Sequence, residues 1–155
     1  MQPSDAITPA PADIERYLHE HIPLSQKIGV SVAAADASGV RLCAPFLPNI
    51  NHFNTAFGGS VSALAILAGW TLVYVRLCPL ALHRQIVIQR NAVEYLKPIQ
   101  QDFCAFCPSP PEQDWQRLIQ MLTRYSRGRI TLKADVFSDE VRVGTFEGDY
   151  VAIKS

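Results

Sequence analysis

The residues with the clearest chemical potential lie in one short run, Asn51-His52-Phe53-Asn54-Thr55-Ala56-Phe57-Gly58-Gly59-Ser60. A polar loop leads into a glycine pair, and an apolar helix follows. The first N–H groups of a helix lack an intrahelical partner, and the helix dipole favours negative charge there. Glycine lets a ligand approach that backbone closely. Gly58 and Gly59 are therefore candidate donors to an oxyanion. The competing reading is steric: the same pair lets a helix enter a tight space. A second set is cationic. Lys97, Arg124, Arg127 and Arg129 suit phosphate, which guanidinium groups bind bidentately. A solvated surface cluster is the alternative. The third set is Cys104-x-x-Cys107. A structural zinc site needs four ligands, and no second pair follows. In a strand, side chains three apart face opposite ways. Cys43, Cys78, Cys104 and Cys107 are therefore expected to be reduced thiols, with no metal and cytoplasmic residence.

These groups must be positioned by the rest of a chain of 155 residues, with 14 Lys+Arg against 14 Asp+Glu. That length fits one domain with its own core, and zero net charge disfavours a nucleic-acid partner. Only 18% of residues are charged, against about 25% in an average globular protein. The deficit is local: between Leu42 and His83 the sole charge is Arg76. Residues 1–12 carry three prolines and no apolar signal-peptide core, and are expected to be a disordered tail. Residues 13–155 are expected to form a single domain.

Asp13 is expected to cap a short helix with Ile14, Tyr17, Leu18 and Ile22 on one face. Ile28–Ala35 and Val40–Phe46 read as strands around the turn Asp36-Ala37-Ser38-Gly39. Val61–Leu77 reads as a helix that is apolar nearly all round. Gln85–Leu96 and Asp102–Cys107 read as strands. Glu112–Tyr125 is amphipathic, with Trp115, Leu118, Ile119 and Leu122 at helical spacing. Ile130–Ser138 and Val141–Ile153 form a final hairpin. The order predicts an α+β fold with an antiparallel sheet.

By length, the neutral helix could cross a bilayer. Its glycines, serines and threonine make it only moderately hydrophobic, and the flanking strands alternate like those of a soluble sheet. A helix apolar on all faces spans a membrane or is wrapped by its own domain. The wrapped reading is expected, so no membrane partner is. A six-stranded antiparallel sheet curled around one long apolar helix is the hotdog architecture.

Here the sequence resembles the hotdog-fold acyl-CoA thioesterases, most of all the putative-thioesterase family named for the C-terminal domain of YiiD. The run from Asn51 to Ser60 carries most of the resemblance. Ser62-Ala63-Leu64-Ala65 with Ala68-Gly69-Trp70 supplies the helix, and Tyr95-Leu96-Lys97-Pro98-Ile99 with Asp102-Phe103 the third strand and its turn. The resemblance implies hydrolysis of an acyl-CoA or acyl-carrier-protein thioester at a dimer-interface site. It implies no cofactor beyond the coenzyme A moiety of the substrate. Gly58 and Gly59 would hold the oxyanion. Asn51, seven residues before Gly58, stands where related thioesterases carry a water-orienting asparagine; bracing the loop is its alternative role. His52, Asn54, Thr55, Phe57 and Ser60 would line the substrate. Lys97, Arg127 and Arg129 would meet the coenzyme A phosphates.

Two departures stand out. Phe57 replaces the histidine of the related His-Gly-Gly. Ile66 occupies the place of the helix carboxylate, and no Asp or Glu occurs from Ala37 to Val93. Glu94 is the first substitute, with Asp102 and Asp135 behind it; pairing with Arg90 on the same strand face is Glu94's alternative role. Three functions compete: a thioesterase, a non-hydrolytic acyl-thioester-binding module and, weakest, a dehydratase. A homodimer is expected, joined edge to edge through its sheets, with a tetramer as the further assembly.

Overall fold

A computed structural model describes residues 8–80 and 84–154. The chain runs α1 (Pro11–His21), α2 (Leu24–Ile28), β1 (Ser31–Asp36), β2 (Gly39–Ala44), α3 (Gly58–Leu77), β3 (Arg84–Tyr95), β4 (Phe103–Pro108), α4 (Glu112–Tyr125), β5 (Arg127–Ser138) and β6 (Val141–Lys154). The strands form one antiparallel sheet in the order β1-β2-β4-β5-β6-β3. It curls around α3, which contacts every strand. The helical stretch Gly58–Leu80 is long and apolar enough to cross a membrane by composition alone, yet 61% of its most hydrophobic window is buried inside the domain. This is the expected hotdog architecture.

Alternation builds the wrap. On β5, Ile130, Leu132, Ala134 and Val136 are buried while Arg129, Thr131 and Lys133 face outward. Tyr150 of β6 is fully buried and donates its hydroxyl to the carbonyl of Ile66 on α3 at 2.6 Å. Gly69 makes room for that ring: a Cβ there would stand 2.6 Å from Tyr150 Cζ.

Edge strand β1 is covered by α1, which also packs on α3. Glu15 accepts the N–H of Val32 on edge strand β1 at 2.8 Å, and His19 Nε2 bonds the carbonyl of Val30 at 2.8 Å. Tyr17 stacks on Tyr74 of α3 at 4.7 Å between centroids. Arg76, the lone charge of the neutral stretch, pairs with Glu112 and lies over the Trp115 ring, tying α3 to α4.

Three expectations are corrected. Asp13 does not cap α1: the cap is Ala10, with Pro11 at the first helical position, where a missing N–H costs nothing. Thus α1 starts inside the stretch assigned to a tail, of which residues 1–7 lie outside the described residues. The cysteines are not all free. Cys43 on β2 and Cys104 on β4 sit directly opposite in register and form a disulfide. Reading the C-x-x-C within one strand missed this cross-strand neighbour. Cys107 faces inward and is buried, and that burial pushes its thiol up to about 12. Finally, α2 was not expected; Gly29 ends it in the left-handed region at φ 80°.

Candidate functional site

The loop before α3 is a closed unit. Ile50 and Ala56 form a bridge, and Asn51 N–H donates to the Thr55 carbonyl at 2.8 Å. Asn51 Oδ1 accepts the N–H groups of Phe53 and Thr55 at 2.9 and 3.1 Å, and its Nδ2 donates to Thr55 Oγ1 at 2.8 Å. Asn54 closes the tip at φ 59°, a conformation asparagine tolerates better than most residues. Two bonds anchor the exit: Ala56 N–H to Ile99 carbonyl at 2.8 Å, and Phe57 N–H to Asn49 carbonyl at 2.7 Å. Asn49 is itself buried and donates to the carbonyls of Ile28 and Pro45 at 2.8 Å each.

The chain thus enters α3 in a fixed direction. Phe57 is extended at φ −61°, ψ 130°, and supplies no side-chain cap. Its carbonyl accepts the N–H groups of Ser60 and Val61. Among the described residues, no backbone or side-chain acceptor takes the N–H of Gly58 or Gly59. Both glycines line an open groove of about 430 Å³ with Ala56, Tyr95, Leu96 and Lys97. The Tyr95 hydroxyl donates to the Gly58 carbonyl at 2.8 Å. Burial raises the Tyr95 pKa, so the hydroxyl keeps its proton through neutral pH. This groove can present two amides and a cation to a polarised carbonyl or anion, on mostly apolar walls.

Of the expected site residues, Gly58, Gly59 and Lys97 meet in this groove. The Phe57 ring covers Gly59 at its rim. Ser60 is half-buried on the first turn. Asn51 and Thr55 are occupied as the loop's internal brace, which favours the bracing role over water orientation. His52 is exposed and packs on Phe53 at 4.1 Å between centroids.

The three proposed carboxylates are not brought here. Tyr95 reaches the helix, so its neighbour Glu94 points to the other face of β3. There Glu94 faces a different groove with Lys133, Asp135 and Glu147. Asp102 accepts the N–H of Phe46 at 2.7 Å. Asp135 pairs with Arg142 at 3.8 Å on the outer face. Nor do the arginines meet the glycines within one chain. Arg127 aligns through Ile153 with Gln85, at the opposite end of β3 from Tyr95. That is roughly 30 Å of extended strand. Arg129 donates to Gln89 at 3.5 Å.

Tyr95 lines this groove as well, and it was not among the expected site residues. Its signal was present in the run Tyr95-Leu96-Lys97-Pro98, where an aromatic hydroxyl ends the third strand. Nothing in the sequence tells which carbonyl that hydroxyl meets.

A six-stranded antiparallel sheet around one long helix, with unspent amides where the helix begins, defines a hotdog-fold protein. Within that class, the chain belongs to the family described as "Putative thioesterase (yiiD_Cterm)", whose model matches residues 11–154. Solved structures are similar over nearly the whole chain. A protein of unknown function from Chlorobaculum tepidum TLS is 27% identical, over 93% of this chain and 94% of that one, at TM-score 0.88. A putative thioesterase from Shewanella oneidensis is 24% identical over 92% and 96%, at TM-score 0.82. A Pseudomonas aeruginosa protein described as a probable thioesterase is 19% identical over 96% and 99%, at TM-score 0.77. At those two identities the likeness speaks for the fold alone.

Proposed function

We propose that this protein hydrolyses an acyl thioester, carried by coenzyme A or an acyl-carrier protein, in the groove at the start of α3. The observation that carries the reading is the pair of unspent N–H groups on Gly58 and Gly59. Negative charge develops on the thioester oxygen as water attacks, and preoriented donors there lower the barrier. The apolar walls from Ala56, Val61 and Ile99 suit the acyl-pantetheine arm. The reaction draws on no cofactor beyond the substrate's own coenzyme A.

A homodimer completes the proposal. β3 is an edge strand of 12 residues, hydrogen-bonded only to β6 among the described strands. A long open edge invites pairing with another copy. Antiparallel pairing of two β3 strands reverses their ends. The Arg127–Arg129 end of one copy then lies beside the other's groove, two strands, roughly 10 Å, from the shared edge. In that frame the arginines meet the substrate's phosphates, and the copy supplies the carboxylate that this groove lacks. We place the protein in the cytoplasm because these thioesters are made and used there; the Cys43–Cys104 disulfide removes the separate argument from reduced thiols.

The second reading is a non-hydrolytic acyl-thioester-binding module. It is favoured by the absence of any Asp or Glu among the residues lining the groove. Free-thiol release from a panel of acyl-CoA and acyl-carrier-protein esters tests both. Turnover supports hydrolysis. Thermal stabilisation by esters without thiol release supports the module, and no response to any ester removes both.

A further inference from the structure

We propose that Tyr95 is a positioning residue for the oxyanion donor, its hydroxyl holding the Gly58–Gly59 peptide in the orientation the reaction uses. The inference rests on the hydrolase reading and assigns a role to a residue outside the polar loop. The carbonyl of Gly58 and the N–H of Gly59 belong to one planar peptide unit. Whatever fixes the oxygen therefore fixes the hydrogen. Two successive glycines in the first turn of a helix have the loosest backbone available. No side-chain cap restrains this turn.

The bond from Tyr95 Oη to Gly58 O, at 2.8 Å, restrains it from outside the helix. Tyr95 can do so because its own backbone is rigid. It ends β3 opposite Gly144, and the next residue, Leu96, donates its N–H to Val143 at 2.8 Å. The hydroxyl also withdraws electron density from the carbonyl, and chained hydrogen bonds strengthen one another. The Gly59 N–H becomes a better donor on the groove side. Burial raises the Tyr95 pKa, which keeps this donor protonated. Tyr95 is 53% exposed, so its hydroxyl is not needed to fill the core.

Tyr95→Phe removes the hydroxyl and keeps the ring. In the full-length protein, kcat should fall about tenfold, the scale of one neutral hydrogen bond. KM should stay within about twofold, because a ground-state carbonyl uses the donor less than the oxyanion does. The melting temperature should move by no more than about 2 °C, as for a half-exposed hydroxyl. The amide proton of Gly59 should shift upfield in the NMR spectrum and exchange faster, while amides beyond the first turn of α3 stay put. An unchanged kcat in an active enzyme overturns the proposal, as does a drop in kcat matched by a large fall in melting temperature. If the wild type releases no thiol from any ester, the hydrolase reading fails separately. The Gly59 amide then decides the positioning role: an unmoved resonance in Tyr95→Phe overturns it, and a shifted one upholds it.

Discussion

Replacing Gly59 by alanine separates the two uses of the glycine pair, because they predict opposite signs for stability and activity. Gly59 is the second residue of α3 and is exposed on the groove. The three atoms nearest a Cβ there all belong to the Phe57 ring, with Cε1 at 2.5 Å and Cζ at 3.0 Å. That ring is 58% exposed and can swing into solvent at little cost. Alanine is favoured over glycine in a helix by about 0.5–1 kcal/mol. The variant should therefore be as stable as the parent or more so, melting about 1–4 °C higher at fixed protein concentration. Activity should move the other way. The new methyl would stand over the amides proposed to receive the oxyanion, and the displaced Phe57 ring would disturb the rim. Losing a whole oxyanion donor costs about 100- to 1,000-fold in kcat. Obstructing one should cost about 10- to 100-fold on the same scale. Thermal melting paired with thiol-release kinetics reads both signs. A variant that melts several degrees lower with kcat unchanged would refute the argument, and would show that Gly59 is there for packing.

Other outcomes follow from the same geometry. Gly69→Ala drives a Cβ into the Tyr150 ring and breaks the bond to Ile66; it should cost about 2–4 kcal/mol in urea unfolding, despite alanine's better helix propensity. Asn51→Ala removes the three side-chain bonds that close the loop, and should cost about 1–2 kcal/mol along with some activity. Asn51→Asp keeps both Oδ1 contacts and should recover most of that loss; a 100-fold drop in kcat for both variants without destabilisation would restore a water-orienting role. Iodoacetamide under native conditions should modify exposed Cys78 and spare Cys107, as peptide mass spectrometry can check, because burial pushes the Cys107 thiol up to about 12. Cys43 and Cys104 should become reactive only after reduction.

Most of the fold was legible because it rests on local periodicity. The alternation Ile130, Leu132, Ala134, Val136 announces a strand with one wet face, and Glu112–Tyr125 is a helix within the residues its stripe predicts. The neutrality from Leu42 to His83 announces a helix that is mostly enclosed, and between Val61 and Val75 only a half-buried stripe through Ser62, Ala63, Ile66, Trp70 and Tyr74 escapes full burial. What was hidden depends on register and on which face a residue takes. Cys43 and Cys104 are far apart in sequence and become neighbours only when β2 pairs with β4. Glu94 and Tyr95 are adjacent in sequence, so a single step along β3 decides which of them meets the helix. The favoured acid falls on the outer face, and its uncredited neighbour touches the glycine pair. Asn51 was ambiguous for a different reason. An asparagine that orients water and one that braces a loop look alike until their partners are known, and here both of its polar atoms are taken.

The absence of charge along α3 has two consequences that pull against each other. A helix wrapped by six strands cannot carry an unpaired carboxylate without a heavy desolvation cost. Ile66 in place of an acid is half-buried and packs against the core, and its carbonyl is taken by buried Tyr150. Yet hydrolysis needs a group that aims and deprotonates water. In the proposed reaction, Gly58, Gly59 and Tyr95 would supply the electrostatic half, and no group lining the groove would supply the proton transfer. Within one copy, the nearest acid by sequence, Glu94, is separated from the groove by the thickness of the sheet. In the proposed dimer the acid comes from a second copy, whose β3 pairs along the open edge of this one. Under the proposed dimeric hydrolase, thiol release should therefore depend on protein concentration wherever the two copies dissociate. A binding module complete in one chain would not show that dependence.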